Sequence, residues 1–113
     1  MNTEEQAKIF KAMGDVTRLR ILSLLPWQPR CEEMYSVGDL VAEIGGSQPN
    51  LSRHLHILKE AGLVQCRKRG CNVYYWRVPE AFDRICDCLG PYCGAACRRA
   101  GKALAPAAGR VTA

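Results

Sequence analysis

The sequence predicts a mainly α-helical winged helix-turn-helix in the order α-α-α-α-β-β-α, and three observations predict it. A short amphipathic segment and a longer one are joined by the tight pair Gly45-Gly46. The longer segment opens Ser47-Gln48-Pro49-Asn50, a helix start with polar side chains at its front. Two runs rich in β-forming residues then flank Arg69-Gly70-Cys71, so a hairpin with a basic tip follows the second helix.

Each element has its own signals. Thr3 is suited to cap a first helix that carries Ala7, Ile9, Phe10 and Met13 mostly on one side and ends at Gly14. Asp15 caps a second helix whose Val16, Leu19, Ile21, Leu22, Leu24 and Leu25 are apolar almost all round, as in a core helix, until Pro26 and Pro29 end it. Ser36 caps a third with Val37, Leu40, Val41 and Ile44 inward. Ser47 caps the fourth, where Pro49 is tolerated in the first turn and Leu51, Leu55 and Leu58 share a buried face. The strands run from Leu63 to Lys68 and from Asn72 to Val78. Pro79 starts a fifth helix with Ala81, Phe82, Ile85 and Leu89 apolar, broken at Gly90-Pro91.

A chain of 113 residues supports one domain and a modest core. The expected division is a winged helix-turn-helix domain over 1–91, a cysteine-containing extension over 92–104 and a disordered tail over 105–113. No apolar stretch approaches a membrane span and the first residues carry no export signal, so a cytoplasmic protein with no membrane partner is expected. The net charge of +5 is concentrated between Ser47 and Arg77, where Arg53, Lys59, Arg67, Lys68, Arg69 and Arg77 oppose the single acid Glu60. A patch of that sign favours a polyanion.

The helix-turn-helix places the front of its second helix in the DNA major groove. Gln48 and Asn50 are suited to adenine edges and Arg53 to guanine, while Ser47, Ser52 and the helix N-terminus suit phosphates. His54 is read as a polar contact to DNA or solvent. Arg67, Lys68 and Arg69 at the hairpin tip suit backbone phosphate or the minor groove. Any exposed helix face carries polar residues, and helix-turn-helix geometry also occurs in proteins that never touch DNA. Helix order, glycine turn, polar front and basic hairpin coincide here with the segregated charge, which places operator double-stranded DNA ahead of that reading.

The sequence resembles the ArsR/SmtB group of metal-responsive repressors over about residues 4 to 89. The resemblance is carried by Ala12-Met13-Gly14-Asp15-Val16-Thr17-Arg18-Leu19-Arg20-Ile21-Leu22, by Ser47-Gln48-Pro49-Asn50-Leu51-Ser52-Arg53-His54-Leu55 and by Leu58-Lys59-Glu60-Ala61-Gly62-Leu63-Val64. It implies a non-enzymatic repressor: a homodimer built on the first and fifth helices that sits on a palindromic operator and leaves it when an inducer binds. It does not name the inducer. Where related repressors carry Cys-x-Cys at the start of the third helix, this chain has Ser36 and Gly38, with Cys31 alone nearby. The zinc-type site of the fifth helix needs histidines, and the only two, His54 and His56, lie on the fourth.

Seven cysteines, an odd number, argue against a disulfide scaffold and for reduced thiols that bind a soft metal or sense oxidants. Cys86, Cys88, Cys93 and Cys97 fall within twelve residues. Cys93 and Cys97 share a helical face, whereas Cys86 and Cys88 diverge by about 160° on a regular helix. A three-thiolate set is the easier geometry and suits As(III) or Sb(III), with Cd(II) or Pb(II) as alternatives. Neighbouring Arg84, Arg98 and Arg99 favour the thiolates. Cys66 reads as core packing, Cys71 as an exposed thiol at the wing tip, and Cys31 is unassigned. The rival readings are an iron–sulfur or thiol-redox sensor, a structural zinc, or buried cysteines acting as small hydrophobes. An enzyme is not expected: there is no Cys-x-x-Cys, no phosphate-binding glycine loop and no histidine placed as a general base.

Overall fold

The computed structural model describes residues 2–27 and 35–92. Helix α1 (Thr3–Met13) is capped by Asn2, whose side chain accepts the Glu5 N–H, so the cap lies one residue before the expected Thr3. Both residue types cap well; the chain uses the one that lets Thr3 begin the helix. Helix α2 (Val16–Leu24) is capped as expected by Asp15, and Leu25 turns to extended backbone because Pro26 follows it.

The uniform apolarity of α2 overstates its burial. Ile21 and Leu22 are in the core, while Val16 is 65% and Leu19 49% exposed. A helix this short meets its neighbours along one side only, and the apolar residues on its other side remain at the surface of the protomer.

Strand β1 (Tyr35–Ser36) leads into α3 (Val37–Ile44), whose start is a reciprocal capping box between Ser36 and Asp39. This strand was not expected: two residues carry no periodicity. It pairs antiparallel with the second hairpin strand and gives a three-stranded sheet in the order β1-β3-β2. Gly45 and Gly46 have φ of 93° and 85°, a region that glycine enters without strain, so the chain reverses at once into α4 (Gln48–Glu60).

The hairpin comprises β2 (Val64–Arg69) and β3 (Asn72–Arg77). Arg69 pairs with Asn72, which makes the turn two residues long, Gly70-Cys71, and places Arg69 in the strand and not in the turn. Positive φ at Gly70 and none at Cys71 is the II′ pattern that matches strand twist. Helix α5 (Pro79–Cys88) follows, with Leu89 as its C-cap. The helix closes at Leu89, one residue before the expected break at Gly90-Pro91, and residues 90–92 are again helical, with the Tyr92 N–H reaching Leu89 O at 3.0 Å.

The core gathers Ile21, Leu25, Leu40, Leu51, Leu55 and Leu58 between the helices, with Leu63 and Val64 joining from the root of the hairpin. Burying three leucines of α4 fixes that helix against α2 and α3 and leaves its other face to solvent. No helix among the described residues is long and apolar enough to cross a membrane.

Candidate nucleic-acid interface

The front of α4 is built by its own capping chemistry. Ser47 Oγ accepts the Asn50 N–H at 3.3 Å, which leaves the hydroxyl proton free to donate. Gln48, Ser52 and Arg53 are exposed, and Asn50 is half-buried. The Arg53 guanidinium donates to Asn50 Oδ1 at 2.8 Å, so these two side chains are held as one unit before any ligand arrives. Gln48 lies along the start of α3: its Nε2 is 3.7 Å from where a Cβ on Gly38 would stand. These side chains form a polar front opposite Leu51, Leu55 and Leu58.

His54 does not share that front. Its side chain is 13% exposed and turns inward, with Nδ1 3.9 Å from Asp15 Oδ2. On α4 it stands one position before Leu55, on the flank facing α2, so helical spacing already disfavours an outward role. His56 is exposed and lies 3.5 Å from Glu60 one turn on.

The hairpin projects Arg67, Lys68 and Arg69, all exposed. Alternation along the strand places Arg67 and Arg69 on one face and Lys68 on the other, and the Arg67 guanidinium lies 5.8 Å from the Trp76 ring centroid. Arg77 departs from the expected basic surface. It is 8% exposed, with its guanidinium 3.8 Å from the Trp27 ring centroid, and burial pulls its pKa below the ordinary arginine value. Strand alternation carried the signal: Val73, Tyr75 and Arg77 share one face, and it is the face that packs. Burial also pushes the Tyr75 hydroxyl pKa up.

Cys66 is half-buried opposite Tyr75, and Cys71 is exposed at the turn. Cys86 is exposed on α5, while Cys88 is half-buried and lines a hollow of about 280 Å3 with Gln6, Arg84, Asp87 and Pro91. Two positions apart on a regular helix, Cys86 and Cys88 point apart. Cys31, Cys93 and Cys97 lie outside the described residues, as do residues 93–104 of the expected extension and the whole expected tail. Among the described residues no three His, Cys, Asp or Glu side chains are gathered as metal ligands would be. At the start of α3 Ser36 is engaged in its capping box and Gly38 is exposed, so that position offers no thiol.

Residues 15–65 match the family described as bacterial regulatory protein, arsR family. An uncharacterized HTH-type transcriptional regulator of Methanocaldococcus jannaschii is 42% identical over 82 residues, covering 73% of this chain and 88% of that one. The arsenical resistance operon repressor of Escherichia coli is 43% identical over 73 residues, which span 65% of this chain and 59% of that repressor. Among solved structures, reduced HlyU of Vibrio cholerae superposes with a TM-score of 0.62 at 33% identity, covering 80% of this chain and 90% of that one. The matched segment contains the capped α2, the glycine turn and all of α4, and the fold continues through the hairpin into α5; the chain belongs to the arsR family of DNA-binding transcriptional regulators.

Proposed function

We propose that this protein is a homodimeric repressor that reads an operator with the front of α4 and the β2–β3 wing, and that leaves DNA when a soft metal(loid), As(III) or Sb(III), is bound by thiolates at the end of α5. The observation that carries the DNA-reading part is the exposure of Gln48, Ser52 and Arg53 at the front of α4 together with that of the cations Arg67, Lys68 and Arg69 on the hairpin. Ser47 and the α4 N-terminus supply phosphate donors, and the Asn50–Arg53 pair presents a planar fork to base edges.

Dimerisation is supported by apolar surface left open on the protomer. Phe10 of α1 and Leu89 and Tyr92 beyond α5 line a hollow of about 380 Å3 together with Thr3, Gln6 and Ala7, and Tyr92 is 71% exposed. Covering that surface with a second copy would remove it from water and set two recognition helices side by side.

The inducer reading rests on thiol chemistry. Cys86 and Cys88 cannot serve one ion while α5 stays regular, so a three-thiolate site takes one of them with Cys93 and Cys97. The likeness to an arsenical resistance repressor supports As(III), and Cd(II) or Pb(II) would suit the same soft donors. A second reading, a thiol-redox or iron–sulfur sensor, is favoured by the exposure of Cys86, which gives oxidants access. Adding As(III), Sb(III), Cd(II), Pb(II), Zn(II) and peroxide in turn to a labelled duplex, selected from a random pool by the protein itself, separates these readings. Release by As(III) or Sb(III) alone is the expected result; release by peroxide alone moves the sensor to redox chemistry, and release by none removes the inducer assignment.

A further inference from the structure

Arg77 ends β3 and has no place in the DNA-reading surface, yet the structure buries its charge. Three contacts gather there from separate elements. The guanidinium stacks 3.8 Å from the centroid of Trp27, which follows α2. Trp27 meets Phe82 of α5 edge to face, with centroids 5.1 Å apart and planes at 89°. The Arg77 backbone N–H donates to Pro26 O at 2.7 Å. Arg77 Nε is buried with no hydrogen-bond partner, so the aromatic face is the main compensation for that part of the cation. An aliphatic side chain would fill such a position without stranding a charge. What the cation adds is directional: it favours a ring that lies flat against it, and that ring in turn meets Phe82 at a right angle.

We propose that Arg77 is a positioning residue: its contact with Trp27, which in turn meets Phe82, is a joint that fixes the end of β3 at the root of the wing to α5. Buried Val64 anchors β2 in the core and β1 flanks β3, while the Arg77 contact adds a tie from the end of β3 toward α5; the wing cations are useful to DNA only if the root holds their direction. The same joint gives α5 a mechanical route to the wing, since a shift of Phe82 tilts Trp27 and releases Arg77. This inference rests on the DNA-reading surface proposed above for its functional readout, and has a second readout that does not.

The test compares wild type with Trp27→Leu, Arg77→Met and the ring-retaining Trp27→Phe. Amide exchange comes first. Hairpin amides in Trp27→Leu and Arg77→Met exchange faster by on the order of tenfold, the scale of a desolvated cation–π contact, while α2 and α4 amides keep their rates and Trp27→Phe largely restores the hairpin. Lys68→Ala is then placed in wild type and in Trp27→Leu, with affinity measured on the selected duplex without any effector. Independent sites multiply within about twofold. The joint predicts a shortfall larger than that, because a wing that has lost its direction no longer uses Lys68. Unchanged hairpin exchange, or an equal rise in every helix, overturns the proposal, as does a Lys68→Ala penalty identical in both backgrounds. Should Lys68→Ala cost nothing in wild type, the wing is not a DNA contact, and hairpin exchange alone decides the joint.

Discussion

His54 Nδ1 on the recognition helix stands 3.9 Å from Oδ2 of Asp15, the residue that caps α2. The Nδ1 atom is buried with no hydrogen-bond partner, and the Asp15 carboxylate stands just beyond hydrogen-bond distance of it. Asp15 therefore acts twice, accepting the Arg18 N–H at 3.1 Å and facing the flank of α4.

Acid stability follows from that double role. The Arg18 N–H holds the Asp15 carboxyl below its ordinary pKa, with the His54 charge a further contribution. A lowered folded-state pKa gives stability that is fully present above the unfolded value, about 3.9, and is lost as pH falls through the folded one. Denaturant midpoints of wild type should fall below about pH 4. Asp15→Asn, which keeps a capping oxygen but not the charge, should start lower and fall less steeply over that window. An identical acid slope in the two proteins would remove Asp15 from the account.

Base reading should show the coupling of Asn50 and Arg53. Arg53→Ala is expected to cost about 1–3 kcal/mol on the preferred duplex and to relax sequence preference. Asn50→Ala should cost less than additively in its presence, because the 2.8 Å bond joins the two side chains before binding. Arg69→Ala should instead weaken all sequences alike and flatten the salt dependence by about one phosphate contact. Binding isotherms at several salt concentrations check all three variants.

Leu55 tests whether the recognition helix is held by the core. It is fully buried at the centre of the α4 apolar stripe, and Leu55→Ala should destabilise the protein by about 2–5 kcal/mol. Calorimetry or chemical denaturation measures the loss. A cost below about 1 kcal/mol would mean that α4 repacks without it.

Much of this architecture was legible because local signals agreed with one another. Ser36, Ser47, Asp15 and Gly45-Gly46 mark helix ends by side-chain chemistry that does not depend on the rest of the fold, and each stands where it was expected. For residues whose surroundings come from distant segments, spacing shows at most which way the side chain faces, as strand alternation does for Arg77 and helical spacing for His54, and not what it meets. Arg77 reads as one more surface cation until Trp27 arrives from beyond α2 and Phe82 from α5, and His54 reads as polar surface until Asp15 arrives from the cap of α2. Strand β1 escaped for a different reason, since two residues make a strand only through the partner that they pair with.

The cysteines outside the α5 segment should be dispensable for induction. Cys66 sits half-buried opposite Tyr75 and Cys71 at the exposed turn, and neither belongs to a group of three metal-ligand side chains among the described residues. A variant with Cys31, Cys66 and Cys71 all changed to serine should still leave DNA when arsenite is added. Loss of response in Cys31→Ser alone would move the sensor to the connection between α2 and α3.

The last expectation concerns the switch itself. A soft ion that gathers one thiolate from α5 together with Cys93 and Cys97 ties the two sides of Gly90-Pro91 to one centre, so its binding is expected to reshape the end of α5. That end carries Leu89 and Tyr92, the apolar surface assigned to the dimer seam, so its rearrangement alters the relation of the two recognition helices. Dimeric readers need half-sites about one helical turn apart, near 34 Å, and a small rotation between subunits penalises the DNA-bound form. Linkage then requires reciprocity: if arsenite weakens DNA binding by some factor, DNA weakens arsenite binding by the same factor, with a coupling on the order of 1–3 kcal/mol. Arsenite affinity is measured for the free protein and for its duplex complex, in wild type and in Cys93→Ser with Cys97→Ser. Unequal affinities in wild type and a lost response in the double variant are expected; equal affinities, or an unaltered response, would exclude this cluster as the switch.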